Sequence, residues 1–143
     1  MIKIVPALSG TSTFDACMAI RLDVFVNEQN VPREEELDTL DNTAIHILAL
    51  VDGLPAGTAR AVEKAPGLWK IGRVAVRAMY RKRGIGTALM REIEAACPAR
   101  DFILSAQTQV LLFYERLGYV KAGPEFMEAG IPHYLMRKTE SVL

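Results

Sequence analysis

Apolar positions in the first half of the chain form short runs and alternations. In the second half they fall into helical stripes separated by strand-like runs. Residues 2–7 read as a first strand. The polar residues 9–13 can cap a helix, whose stripe is Phe14, Cys17, Met18, Arg21, Leu22 and Phe25. Asn30-Val31-Pro32 ends it. Residues 33–41 are acidic without a strand pattern, so a loop or short helical turn is predicted. Residues 44–51 are apolar and β-like, Asp52-Gly53 signals a hairpin, and residues 56–63 make the return strand. After Pro66-Gly67, Leu68–Val76 completes an antiparallel meander.

The second half runs strand–helix–strand–helix. A basic turn leads from Leu68–Val76 into a helix over residues 84–97, with Ile85, Leu89, Ile93 and Ala96 as its apolar face. Pro98 ends it. Asp101–Gln107 has the character of a buried strand. Thr108 is placed to cap a helix carrying Val110, Phe113 and Leu117, which Gly118 stops. Such an order requires at least one parallel, right-handed crossover. Residues 119–121 and 133–137 read as closing strands. The 143 residues suit a single domain spanning residues 1–143.

Composition narrows the function classes. Lys plus Arg equals Asp plus Glu at 17 each, which argues against nucleic-acid binding by bulk charge. Residues 77–83 still form a local basic cluster. Cys17 and Cys97 fit no metal spacing and read as reduced core thiols. No metal site is expected. No signal peptide and no transmembrane run are visible, so a cytoplasmic protein without a membrane partner is expected.

The chemistry concentrates at Arg81-Lys82-Arg83-Gly84-Ile85-Gly86-Thr87. Gly84 and Gly86 clear side chains from the first turn of a helix, where amides lack intrahelical partners and the dipole adds positive charge. With three basic side chains alongside, the loop describes an anion site suited to a diphosphate. A solvated basic turn is the plainer alternative. A Walker loop and a dinucleotide fingerprint are both absent.

From Val74-Ala75-Val76 through Leu89, the segment resembles motif A of the GCN5-related N-acetyltransferases, the GNAT superfamily. Phe113-Tyr114-Glu115-Arg116-Leu117-Gly118-Tyr119 resembles a second segment of the same superfamily. Residues 21–29, Val31-Pro32, Glu36, Asp38, Asp41, Ala44, His46, residues 72–76 and Gly130-Ile131-Pro132-His133 are similar to its YjcF/ElaA-like branch. The resemblance implies an α+β fold, an α/β/α sandwich. Its mixed, mostly antiparallel sheet carries a splayed parallel strand pair and flanking helices.

It also implies acetyl-CoA as co-substrate and a small-molecule amine as acceptor, by direct attack on the thioester. A protein or peptide acceptor, or a non-catalytic CoA-binding module, are the alternatives. Backbone at Val74, Ala75 and Val76 would hold the pantetheine arm, and residues 81–87 the pyrophosphate. Gln107 stands where many relatives have Asn. Phe113 and Arg116 would flank the cofactor, with Arg116 near a phosphate. Tyr114 matches the tyrosine that protonates the leaving thiolate. Glu28 and His46 are candidate bases among Glu36, Asp38, Asp41 and His133, and ordered water is a further route. The acidic residues 34–38 read as solvated surface. Arg60 and Arg73, on neighbouring strands, would meet an acceptor's acid group, Glu63 or a nearby carboxylate. Dimers are common in the superfamily, which keeps a homodimer open.

Overall fold

The computed structural model describes residues 1–139. In chain order the strands are β1 Ile2–Pro6, β2 Ile45–Val51, β3 Leu54–Ala65, β4 Leu68–Val76, β5 Asp101–Gln107, β6 Val120–Lys121, β7 Phe126–Glu128 and β8 Ile131–Thr139. The helices are α1 Ser12–Arg21, α2 Arg33–Glu36, α3 Ile85–Ala96 and α4 Leu111–Arg116. All eight strands join one sheet in the order β1-β2-β3-β4-β5-β8-β6, with β7 paired to β8 beside β6. Among the described residues only β4 and β5 run parallel; the other pairs are antiparallel.

Helices cover both faces. The stripe of α3 packs Ile85, Leu89, Met90 and Ile93 against Ile47, Ala59, Ala61, Ile71, Phe102 and Leu104. Met90 and Cys97 are buried where Ala96 was expected; Ala96 is exposed. On the opposite face α1 buries Cys17 and Ile20 against Leu48 and Ala75. Alternate residues of β2 thus serve two cores, as the strand period demands. Thr11 caps α1 by accepting a hydrogen bond from the Phe14 amide at 3.3 Å.

Two local departures shape the cleft. The first helix does not simply stop; it widens into a π-helical stretch, Leu22–Glu28. Its wider turn leaves Gln29 N bonded to Val24 O and Val31 N to Phe25 O. The second is a bulge in β4. Thr58 faces Ala75 and Arg60 faces Gly72, so β4 holds one residue more than β3 between those pairs. Arg73 sits in the bulge with φ 53°.

Parallel pairing of β4 with β5 covers Leu68, Trp69 and Lys70 only, opposite Asp101, Phe102 and Ile103. Beyond Lys70 the two strands part. Thr108 does not cap the following helix. A 3-10 turn, Thr108–Val110, precedes α4, and the Thr108 hydroxyl donates to the Pro132 carbonyl at 3.2 Å. Strand β7 was not foreseen from the sequence. Among the described residues, no helix is long and apolar enough to cross a membrane.

Candidate active site

The gap between β4 and β5 opens into a cleft of about 1090 Å³. Val74, Ala75 and Val76 line one wall, and Leu104, Ser105 and Gln107 the other. Lys82, Gly84, Ile85, Gly86 and Thr87 close one end. Phe113 and Tyr114 enter from α4, and Phe25, Glu28 and Gln29 from the π-helical stretch and its exit.

The loop before α3 is built by its glycines. Gly84 takes φ 79° at the helix N-cap, a left-handed conformation that costs a non-glycine residue about 1–2 kcal/mol. A Cβ on Gly86 would lie 3.2 Å from Phe113 Cζ, so only glycine lets α3 meet the ring without displacing it. The first amides of α3 have no partner within the helix, which leaves them for an anion.

The three basic side chains of the loop are used differently. Arg81 donates to both oxygens of Glu28, at 2.5 and 2.7 Å, and from Nε to the Val76 carbonyl at 2.9 Å. Arg83 lies over the Tyr80 ring, 5.7 Å from its centroid, and is not among the side chains that line the cleft. Lys82 lines the cleft. Arg116 is exposed on α4 and outside the cleft lining, so the structure does not bring it to the phosphate end.

Gln107 donates to the Gln29 side chain at 2.8 Å and accepts from Gln109. It thereby ties β5 to the exit of the π-helical stretch. Tyr114 is half-buried, edge-on to Phe113 at 5.0 Å and to Tyr119 at 6.1 Å. Burial pushes its phenol up to about 12, so it keeps its proton across the neutral range.

Of the two candidate bases, Glu28 lines the cleft and His46 does not. Hydrogen bonds from Arg81 hold the Glu28 carboxyl below its ordinary value, which makes it a weaker proton acceptor. His46 is buried on β2, outside the cleft lining. Its Nε2 donates to the Asp41 carbonyl at 2.9 Å, its ring meets Phe14 edge-on at 4.9 Å, and burial lowers its pKa.

The acidic stretch is not a solvated surface throughout. Glu36 is 3% exposed and Asp41 7%. Together with Asp38 they alternate with three arginines in a closed ring. Arg21 pairs with Glu36 at 2.7 Å and Asp41 at 2.8 Å. Arg60 pairs with Asp41 at 2.8 Å and Asp38 at 2.7 Å, and Arg73 with Asp38 at 3.2 Å and Glu36 at 2.9 Å. Glu63, a partner foreseen for these arginines, is exposed. Arg73 is the bulge residue, so the ring grips the kink that parts β4 from β5. His133 and Glu128 also line the cleft; His133 had been one base candidate among several, and Glu128 had not been singled out.

Comparison with known proteins places this architecture. The family model described as "Acetyltransferase (GNAT) domain" matches residues 13–140. The chain belongs to the GNAT acetyltransferase family. An uncharacterized N-acetyltransferase of Bacillus subtilis, YjcF, is 43% identical to this GNAT chain over 123 residues, 83% of the chain and 87% of that protein. The crystal structure of Escherichia coli ElaA superposes with a TM-score of 0.85 at 29% identity, covering 96% of this chain and 99% of ElaA. These relatives match the YjcF/ElaA-like branch. A GNAT acetyltransferase of Elizabethkingia anophelis, with acetyl-CoA bound, shares the fold at a TM-score of 0.73 and 15% identity, over 97% and 98% of the two chains. The GNAT chain is thus an acyltransferase, and its fold matches that of solved relatives over nearly its whole length.

Proposed function

We propose that the protein transfers an acetyl group from acetyl-CoA to a primary amine of a small molecule, by direct attack of the amine on the thioester. The parting of β4 and β5 beside a glycine-built helix N-terminus carries this reading. The parted strands leave backbone at Val74 and Ala75 free of a β5 partner, as a pantetheine arm requires. Amides at the start of α3, from Ile85 to Thr87, would take the pyrophosphate, with Lys82 beside them. Phe113 would pack against the donor, and Gln107 would brace the far wall.

Tyr114 is the acid for the leaving thiolate. It lies in the same cleft and is protonated across the neutral range, so a proton is there to give. A backbone amide near Val76 would serve the oxyanion. Cys17 and Cys97 are buried free thiols, which supports residence in the reducing cytoplasm.

A panel of sugars, polyamines, amino acids and peptides, each incubated with acetyl-CoA under thiol detection, tests the reading. Release of free CoA dependent on a small amine is expected. Turnover confined to peptides would replace the acceptor class, and no turnover despite CoA binding would overturn the transferase reading.

A further inference from the structure

His46 lies outside the cleft and Glu28, though it lines it, is held by Arg81, yet the direct attack needs a neutral amine. The hairpin of β7 and β8 supplies the missing group. His133 is 6% exposed, lines the cleft, and faces Gln107 in the sheet register. Its Nδ1 lies 2.6 Å from the Ile131 carbonyl. A carbonyl only accepts, so Nδ1 carries the proton of the neutral ring, and Nε2 is left as the bare acceptor. The ring stacks on Phe126, with centroids 5.8 Å apart and planes at 26°. Stack and hydrogen bond together fix both its orientation and its tautomer. Nε2 lies 3.7 Å from Glu128 Oε2, near enough to stabilise an imidazolium once it forms.

We propose that His133 is the general base of the reaction, taking the acceptor ammonium's proton on Nε2, with Glu128 as its positioning partner. The inference rests on the acetyl-transfer reading above. The proton balance is complete. The ammonium gives one proton to Nε2, from which it passes to solvent. The amine nitrogen then forms the C–N bond with the thioester carbon, the C–S bond breaks, and the thiolate takes the Tyr114 proton. The second proton that the nitrogen sheds on becoming an amide restores the Tyr114 phenol through solvent.

The neighbours of the imidazole favour this use. From β7 come Phe126 and the carboxylate of Glu128. From β5 comes the neutral amide of Gln107. The Thr108–Val110 turn presents Thr108, whose hydroxyl also reaches Glu125. The Glu128 carboxylate, 3.7 Å from Nε2, would draw the incoming ammonium toward the ring.

The test uses the full chain and the amine that gives the fastest thiol release in the panel. In His133→Gln, kcat/KM should fall by about 100-fold or more and the acid limb of its pH profile should disappear. Acetyl-CoA affinity by calorimetry should stay within about twofold. In Glu128→Gln the acid limb should move while the donor still binds. Nitrogen NMR of the wild-type ring should show the Nδ1–H tautomer. An unchanged rate and pH profile in His133→Gln, or an Nε2–H tautomer in the wild type, would overturn the assignment of the base alone. A wild-type protein that binds acetyl-CoA yet acetylates no amine would overturn the acetyl-transfer reading and the base with it.

Discussion

Arg81 and Glu28 stand 53 residues apart in sequence and meet in a two-pronged ion pair at the edge of the cleft. The pair neutralises the one loop arginine that also binds the wall, through the Val76 carbonyl. Replacing Glu28 by Gln should leave Arg81 with an uncompensated charge near the proposed diphosphate site. Acetyl-CoA should then bind more tightly, by roughly three- to tenfold at low ionic strength, with the gain fading as salt is added. Calorimetry across a salt series measures this; weaker binding, or a salt-independent change, would show that the pair organises the cleft instead. Loss of this exposed bridge should cost at most about 1 kcal/mol of stability, since water screens it.

The loop glycines separate into two tests. Gly86→Glu should abolish measurable acetyl-CoA binding, because the side chain meets Phe113 and places a negative charge at the anion site. The melting curve should remain cooperative. Undiminished affinity would remove the loop from the donor site. Gly84→Ala should lower stability by about 1–2 kcal/mol through backbone strain at φ 79°, read by urea unfolding.

Tyr114→Phe keeps the edge-on packing and removes the proposed acid. The expected result is a fall in kcat of about 10²-fold or more with donor affinity unchanged. Single-turnover kinetics across the pH range provide the check. A variant as fast as the wild type at every pH would leave the thiolate to another donor.

The charge ring yields a stability prediction. Removing Arg60 as Met opens the ring, leaving Asp38 only Arg73 and Asp41 only Arg21, and the surplus buried negative charge should cost up to about 3–5 kcal/mol. Acid should act on the same groups. Hydrogen bonds from Arg60 hold Asp38 below its ordinary value; at Asp41, burial pushes upward but Arg21 and Arg60 outweigh it. Depressed carboxyls stabilise the fold above their unfolded pKa, and that contribution is lost as pH falls through the folded values. Glu36 has the opposite sign, raised by burial against Arg73 and Arg21, so its contribution fades as pH rises through its folded value. With two depressed groups against one raised, unfolding midpoints should drop on acidification below about pH 4. Arg60→Met should show a shallower drop; an equally steep one would assign the acid response elsewhere.

How far these features could be read in the sequence depended on how local their causes are. Asp52-Gly53 makes its turn through two adjacent positive φ angles, and the Gly84–Gly86 loop through a helix start a few residues long. Both are written in neighbouring residues, and so was the order of strands and helices from β2 to β5. The ring was not legible, because its partners lie 15 to 37 residues apart and Glu34, Glu35 and Glu36 are the same residue type. Only the short turn of α2 decides that Glu36 points inward. The π-helical stretch was hidden because it continues the apolar stripe of α1. Arg83 was assigned as a charge of the basic loop and Arg116 from the family resemblance, and neither side chain lines the cleft.

The ring also sets which parts of the chain must travel together in a chimera. Arg21, Glu36, Asp38 and Asp41 all precede β2, whereas Arg60 and Arg73 follow it. A crossover between Asn42 and Ile45 would separate an N-terminal part with two surplus negative charges from a sheet with two surplus positive ones. An N-terminal segment grafted from a relative therefore has to bring its own counter-charges, matched to Arg60 and Arg73, or be exchanged along with both strands.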